Sequence, residues 1–322
     1  MKKENLDYDM FFNARVTAEH KGVYVVKNEN GEYLAKITGK RNFEAKSRED
    51  YPAVGDWVVI TKIDKDQAII DKILPRRSIL KRKHSGKSEK DQVIATNIDI
   101  VFAVEAVDRD YNLNRLERYL VLAKDQNIKV AIILNKVDLI SSEELALRVK
   151  EIKERFDNTD IILTSTITKQ GLNNLLNYIE KEKTYCFLGS SGVGKSSLIN
   201  KLLKENIIKT KEISQHGERG RHATTHREMY FLENGGIVID NPGMREVGLV
   251  DSSEGMKDVF EEILNLAGKC KYSDCTHIHE PGCEVLKVVE SKKLDKDKYL
   301  NYLKLKSENK FTFLGKGYKI KI

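Results

Sequence analysis

The sequence contains no apolar run long enough to span a bilayer and no stretch built like a signal peptide. The expectation is therefore a soluble, cytoplasmic chain with no membrane partner. It also lacks internal repeats, low-complexity tracts and sustained heptads, which leaves out solenoids, disordered linkers and coiled coils. A monomer is the expected state. Cysteine is scarce, with four residues in 322. Cys270, Cys275 and Cys283 cluster, while Cys186 sits alone in an apolar run that reads as core. A split of three plus one does not make a disulfide framework, and it suits a compartment where thiols stay reduced. The net charge of +7 is only a modest excess in a chain that is 33% charged. It does not by itself assign a nucleic-acid partner.

One segment carries more chemistry than the rest. Gly189-Ser190-Ser191-Gly192-Val193-Gly194-Lys195-Ser196-Ser197 fits the phosphate-cradling pattern G-x-x-x-x-G-K-[ST]. Thr184–Leu188 before it reads as a buried strand, and Leu198–Leu203 after it as the first turns of a helix. The three glycines let the backbone turn several N–H groups toward one anion, and the helix N-terminus adds partial positive charge there. Lys195 is placed to reach the β- and γ-phosphates, and Ser196 to hold Mg²⁺ through its hydroxyl.

The base is specified elsewhere. Asn135-Lys136-Val137-Asp138 follows the apolar run Val130–Leu134, which reads as a buried parallel strand. A carboxylate at that strand end accepts from both N1–H and the exocyclic amine of guanine. Adenine offers no such donor pair and would leave a buried carboxylate unpaired, at a cost of about 1–3 kcal/mol. Asn135 is expected to tie this loop to the phosphate loop, with the stem of Lys136 over the base. GTP is thus the expected ligand. Ser165 and Thr166, after Asp160–Ile162, stand where backbone N–H groups meet the guanine carbonyl. The strand Gly236–Ile239 delivers Asp240 toward Mg²⁺, and Gly243 of Asp240-Asn241-Pro242-Gly243 is placed to offer its N–H to the γ-phosphate. In Gly220-Arg221-His222-Ala223-Thr224-Thr225, a threonine is expected to close on Mg²⁺, with Thr225 favoured over Thr224. After Gly243 the chain reads Met244-Arg245-Glu246, with no Gln to orient the attacking water. His222 or a group supplied by a bound partner is the expected substitute, and Arg221 the next choice as a charge stabiliser.

These parts occur in rotated order: N-K-x-D, then Ser165-Thr166, the phosphate loop, the threonine loop, and D-x-P-G. The reading is a circularly permuted GTPase domain, which requires only that the original termini lie close together at the surface. The segment after D-x-P-G then leads directly into the C-terminal part of the chain. That part carries Cys270-x4-Cys275-x-His277-x-His279-x3-Cys283. A closed structural Zn²⁺ site needs four ligands, so the three cysteines and one of the two histidines are expected.

Motif order, the G-R-H-x-T-T loop, D-x-P-G and C-x4-C-x-H-x5-C together resemble the ribosome-small-subunit-dependent GTPase family, RsgA or YjeQ. The likeness covers nearly the whole chain and extends to Val54-Gly55-Asp56-Trp57-Val58. It implies an N-terminal OB-fold, a permuted GTPase domain and a C-terminal zinc domain. It further implies binding to the 30S subunit and its 16S rRNA during late maturation, with hydrolysis of GTP to GDP stimulated by the ribosome. It carries the zinc ligands onto Cys270, Cys275, His277 and Cys283, leaving His279 aside. Ala223 departs from the usual threonine of this family.

The remaining pattern agrees. Ala14–Val26 (with a turn at Gly22), Tyr33–Thr38, Asp56–Ile63 and Ala68–Leu74 read as five short strands of an all-β barrel; an OB-fold is favoured, though an SH3-like barrel has the same appearance. Val101–Ala106 and Val130–Leu134 as strands, with Leu113–Ala123 and Glu143–Phe156 as helices, predict a parallel α/β sheet. Gly255–Leu266 and Leu294–Lys306 read as helices around the metal site. Expected domains are 1–75 (OB-fold, RNA-binding), 76–249 (GTPase) and 250–322 (zinc-binding, mainly helical, with a basic tail). Two basic clusters, Arg76 to Lys90 and Lys304 to Lys321, the latter interleaved with Tyr302, Phe311, Phe313 and Tyr318, suit an RNA backbone. Two other functions fit less well: a non-enzymatic rRNA-binding assembly factor, and a GTPase acting on another RNA or subunit.

Overall fold

A computed structural model describes residues 11–20, 22–83, 91–108, 111–208, 227–243, 249 and 252–313. The N-terminal strands are β1 (Phe11–His20), β2 (Val23–Asn28), β3 (Gly31–Ile37), β4 (Trp57–Asp64) and β5 (Gln67–Ile73), with a short helix α1 (Gly39–Glu44) between β3 and β4. They pair in the order β1-β2-β3-β5-β4, and β4 returns to β1. The barrel is closed, and β3 runs parallel to β5. This Greek-key order makes it an OB-fold rather than a simple meander. Period-two alternation turns Ala14, Val16, Tyr24, Val26, Val58, Ile60 and Ile70 inward to form the barrel core.

Next along the chain is a hairpin that the sequence pattern did not reveal: β6 (Ile79–Lys83) against β7 (Asp91–Thr96). Its Leu80 and Ile94 are buried in the same core as α2 (Leu113–Lys124). The basic cluster is also less free than its composition suggests. Arg76 sends a two-pronged ion pair to the buried Asp56 and donates to the carbonyls of Glu49 and Tyr51. Lys81 pairs with Glu49. These cations hold the hairpin to the barrel.

The central sheet contains β8 (Ile100–Ala106), β9 (Lys129–Asn135), β10 (Asp160–Thr164), β11 (Thr184–Leu188), β12 (Glu228–Phe231) and β13 (Ile237–Asp240). Its order is β10-β9-β8-β11-β13-β12; all pairs are parallel except β12 with β13. The strands are apolar on both faces, because helices cover both. On one side lie α2 and α3 (Ser142–Arg155), on the other α4 (Leu172–Tyr178) and α5 (Lys195–Leu203). Along β8, Val101 and Ala103 face the α2 side, while Phe102 and Val104 face the α5 side. Edge strand β12 also meets β1 at Ala18 and Glu228, so barrel and sheet are continuous.

The C-terminal part holds α6 (Ser253–Val259), α7 (Glu261–Ala267), α8 (Glu284–Glu290) and α9 (Lys296–Phe313). The single helix expected over Gly255–Leu266 is broken at Phe260, whose buried ring packs against Tyr302. Tyr302 is therefore a core residue and not a stacking platform. Gly255 lets α6 touch α2: a Cβ there would stand 2.0 Å from the Val121 carbonyl oxygen. The joint is locked by ions as well. Buried Glu117 of α2 accepts from Arg155 and from Asn301 of α9, and Arg118 forks onto Glu308. Among the described residues no helix is long and apolar enough to cross a membrane.

Candidate nucleotide site and metal centre

Strands β8, β9 and β10 run outward to one side of the sheet, and β11 and β13 to the other. The order reverses between β8 and β11, and open parallel sheets bind ligands outside the strand ends at such a switch point. The phosphate-loop sequence leaves the end of β11 there. Gly192 and Gly194 have φ of +88° and +99°, the left-handed region that side chains avoid. Gly189 lies so close to β8 that a Cβ would stand 2.5 Å from the Val104 carbonyl oxygen. The loop ends at the N-terminus of α5. Its Lys195 is buried and donates to the carbonyls of Gly189 and Ser190, both at 2.9 Å. Burial pulls the Lys195 ammonium down to about 8, against the opposing fields of Asp240 and Glu105.

The N-K-x-D segment lies alongside. Asn135 is buried; its Nδ2 donates to the Val193 carbonyl at 2.8 Å, and its Oδ1 accepts from Thr164 Oγ1 at 3.0 Å. Asn135 thus fastens the phosphate loop to the ends of β9 and β10. The fit is tight, since a Cβ on Gly194 would meet Asn135 Nδ2 at 2.3 Å. Lys136 takes a left-handed φ of 62° and pairs with Asp108 at 2.7 Å. Val137 is buried, but Asp138 is exposed. The desolvation penalty argued for a wrong base therefore applies only once a base covers Asp138. Ser165 is buried, and its Oγ accepts from the N–H groups of Ile167 and Thr168. Thr166 is half-buried beside it.

The third strand end completes the pocket. Ser196 Oγ donates to Asp240 Oδ2 at 2.7 Å. Asp240 is buried, and its Oδ1 has no hydrogen-bond partner among the described residues. Burial raises the Asp240 carboxyl above its ordinary range, and the Ser196 hydrogen bond partly offsets this. A hydroxyl beside an unsatisfied carboxylate oxygen is a hard-oxygen donor set of the kind Mg²⁺ takes. Gly243 presses on the phosphate loop: a Cβ would stand 2.5 Å from Ser191 Cα. Arg221, His222, Thr224, Thr225 and Met244 to Glu246 lie outside the described residues. A pair of residues that the motifs did not single out also bears on the loop, one of them in direct contact. Arg115 donates to Ser190 Oγ and pairs with the buried Glu105. The visible signal was an acid standing inside the apolar strand Val101-Phe102-Ala103-Val104-Glu105-Ala106.

A second centre lies in the C-terminal part. The donor atoms of Cys270, Cys275, His277 and Cys283 all fall within 4.8 Å of one another, and His279 is not among them. Cys270 and Cys283 sulfurs are 3.8 Å apart, and His277 Nδ1 is 3.6 and 3.5 Å from them. A tetrahedron with metal–sulfur bonds of about 2.3 Å has edges of roughly 3.8 Å, so the spacing fits a four-ligand metal site. His277 takes a left-handed φ of 66°, and Tyr299 fixes it by donating to its carbonyl at 2.6 Å. Cys283 caps α8. All four cysteines are free of disulfides, and Cys186 is buried in the sheet core.

Comparison with known proteins agrees with this geometry. The sequence profile described as RsgA GTPase matches residues 73–250. The chain is 38% identical over 309 residues to small ribosomal subunit biogenesis GTPase RsgA 1 of Bacteroides thetaiotaomicron, covering 95% of this chain and 86% of that protein. It is 42% identical over 257 residues to RsgA of Leptospira interrogans, covering 79% and 71%. The crystal structure of YjeQ from Thermotoga maritima superposes with a TM-score of 0.67 at 27% identity, covering 95% of this chain and 100% of that one. YloQ, described as a circularly permuted GTPase, superposes at 0.63 with 22% identity, covering 96% and 98%, and at that identity supports the fold alone. A nucleotide-type pocket built at the switch point from loops in rotated chain order, and relatives alike along nearly all its length, place this chain in the RsgA GTPase family.

Proposed function

We propose that this chain is a GTPase of small-ribosomal-subunit biogenesis. It binds the 30S particle through 16S rRNA while holding GTP, hydrolyses GTP to GDP and phosphate under stimulation by the particle, and then leaves. The observation that carries the reading is the Asn135 bridge, which joins a guanine-type loop to a phosphate-type loop at 2.8 Å. An ATP site has no need of that partnership.

In this reading, Asp138 accepts from the guanine edge, and the N–H groups around Ser165 and Thr166 face its carbonyl. Gly189 to Ser197 wrap the phosphates, and Lys195 releases its two loop carbonyls to donate to phosphate oxygens. Ser196 and Asp240 are the described residues that would hold Mg²⁺, which when bound offsets the charge of the β- and γ-phosphates. Gly243, seated against Ser191, presents its N–H to the γ-phosphate. Thr225 and His222 are assigned to Mg²⁺ closure and water orientation. Zn²⁺ is the ion proposed for Cys270, Cys275, His277 and Cys283, because thiolate and imidazole in a closed four-ligand set suit it. Residues 1–75, 76–249 and 250–322 are proposed as RNA-binding, GTPase and zinc-binding domains of a cytoplasmic monomer.

The test is GTP turnover by purified protein alone and with purified 30S or 50S subunits. Stimulation by 30S only is the expected result. Binding without any stimulated turnover would replace the enzyme with an assembly factor, and stimulation by 50S would move the substrate particle.

A further inference from the structure

All seven residues of β8 are buried, and one of them is an acid. Glu105 has no solvent exposure, and its strand neighbours Val104 and Ala106 offer it no polar side chain. A carboxylate survives in such a place only with a partner. A cation comes from the first turn of α2. Arg115 Nη1 stands 3.0 Å from Glu105 Oε1 and 3.2 Å from Ser190 Oγ. Ser190 is the second residue of the phosphate loop and is itself fully buried. One guanidinium therefore grips both a strand acid and the loop.

The location gives the pair its meaning. Glu105 and Asp240 are the two acids whose fields hold the proton on Lys195. Asp240 already has a task beside Ser196. Glu105 has none among the motifs, and it puts a negative charge beneath a loop assigned to a polyanion. Resting on the GTP reading of this pocket, we propose that Arg115 is a positioning residue for the phosphate loop, pinning Ser190 and cancelling the Glu105 charge so that phosphates can settle. The guanidinium fork suits the task, because it reaches two acceptors at once where an ammonium acts as a point charge.

A pair that only cemented β8 to α2 would make different predictions. Loss of either partner would then weaken folding and binding together. The positioning role separates the two partners. Arg115→Gln leaves the Glu105 charge beneath the loop, and GTP binding weakens by roughly tenfold, as expected of one uncancelled charge close to a polyphosphate at intermediate dielectric. Glu105→Gln removes that charge and leaves Arg115 on Ser190, so GTP binding stays equal or tightens. Both single variants melt lower than wild type, because each takes one charge out of a buried ion pair. The double variant recovers the affinity lost to the uncancelled charge but not that owed to the Ser190 contact, so it binds between Arg115→Gln and wild type.

The experiment titrates each full-length variant with a fluorescent GTP analogue and Mg²⁺ at about pH 6, well below the value near 8 at which Lys195 loses its proton, and at a temperature where circular dichroism shows it folded. Thermal melts are recorded alongside. Weaker binding by Arg115→Gln with equal or tighter binding by Glu105→Gln, and both melts lowered, is expected. If wild type binds and both variants weaken alike, the inference is overturned. If wild type itself does not bind, the GTP reading fails instead. Should Arg115→Gln not fold, Glu105→Gln decides alone: wild-type or tighter binding supports the role, and weakening refutes it.

Discussion

Replacing Asn135 with alanine removes two hydrogen bonds from a fully buried junction. Nδ2 no longer reaches Val193, and Thr164 Oγ1 loses its acceptor. Each buried group left unpaired costs about 1–3 kcal/mol. The Thr164 hydroxyl can rotate toward another acceptor, so its share sits at the low end, and the total is about 2–4 kcal/mol. The Val193 share falls on the phosphate loop itself. If about 2 kcal/mol of the loss is borne by the ligand-bound loop, the Kd for GDP or GTP rises about thirtyfold. Asn135→Asp is expected to be worse at neutral pH, because one carboxylate oxygen would then face the Val193 carbonyl, oxygen to oxygen. Its affinity should recover as pH falls, since a protonated carboxyl can donate where the amide did. Titration with fluorescent GDP across pH, paired with thermal melts, measures all of this. An alanine variant within twofold of wild type, or an aspartate variant that binds better than alanine at neutral pH, would refute the reasoning.

Three further outcomes are expected. Lys195 has its ammonium lowered to about 8 by burial, below its ordinary value, so the unfolded chain holds more protons between the two values. Stability without nucleotide therefore rises as pH climbs through that window, whereas GTP affinity, which needs the charged amine, is flat below about 8 and falls above it. Calorimetry in buffers of different ionisation enthalpy should show proton uptake on binding above that value, and a pH-independent affinity would contradict it. Metal analysis should find one zinc per chain; because Cys275 and Cys283 share a core with Leu116 of α2, a strong chelator should lower the melting of the whole chain in one transition. An unchanged melt would argue against a structural ion. Arg76→Ala should destabilise by about 3–5 kcal/mol by leaving the buried Asp56 charge without its cation, while the exposed Arg77→Ala should cost no more than about 1 kcal/mol. Equal melting points for the two variants would show that Arg76 is not the structural cation its bonds to Asp56, Glu49 and Tyr51 make it.

The loops that face the pocket were legible because their chemistry is local. Gly192, Gly194 and Lys195 lie within four residues of one another, and an apolar strand announces Asn135 and Asp240 in turn. The choice of His277 over His279 needed either the family likeness or the donor distances, since spacing alone permits both. The barrel's strands were readable and an OB-fold was favoured, but strand pattern alone left an SH3-like barrel open, because the β3–β5 pairing that decides it links residues far apart in sequence. The β6–β7 hairpin stayed hidden because Lys81, Arg82 and Lys83 mask a single inward Leu80. Composition likewise misread Arg76: it counted a cation without knowing that Asp56 waits across the barrel. The Phe260 break left no helix-stopping residue to notice, and only packing against Tyr302 explains it.

The rotated order of the sheet also bears on how the chain is made. A ribosome releases β8, β9 and β10 first, as three parallel neighbours with a wholly buried strand at their open edge. That edge has no native partner until every residue from Val107 to Lys183 has emerged and β11 arrives. Unpaired apolar edges are the parts of nascent chains most prone to stick to others. The strand that covers β8 is the one that carries the phosphate loop, so closing that edge and installing the ligand's cradle are a single event, and the open edge then passes to β11 until β13 follows.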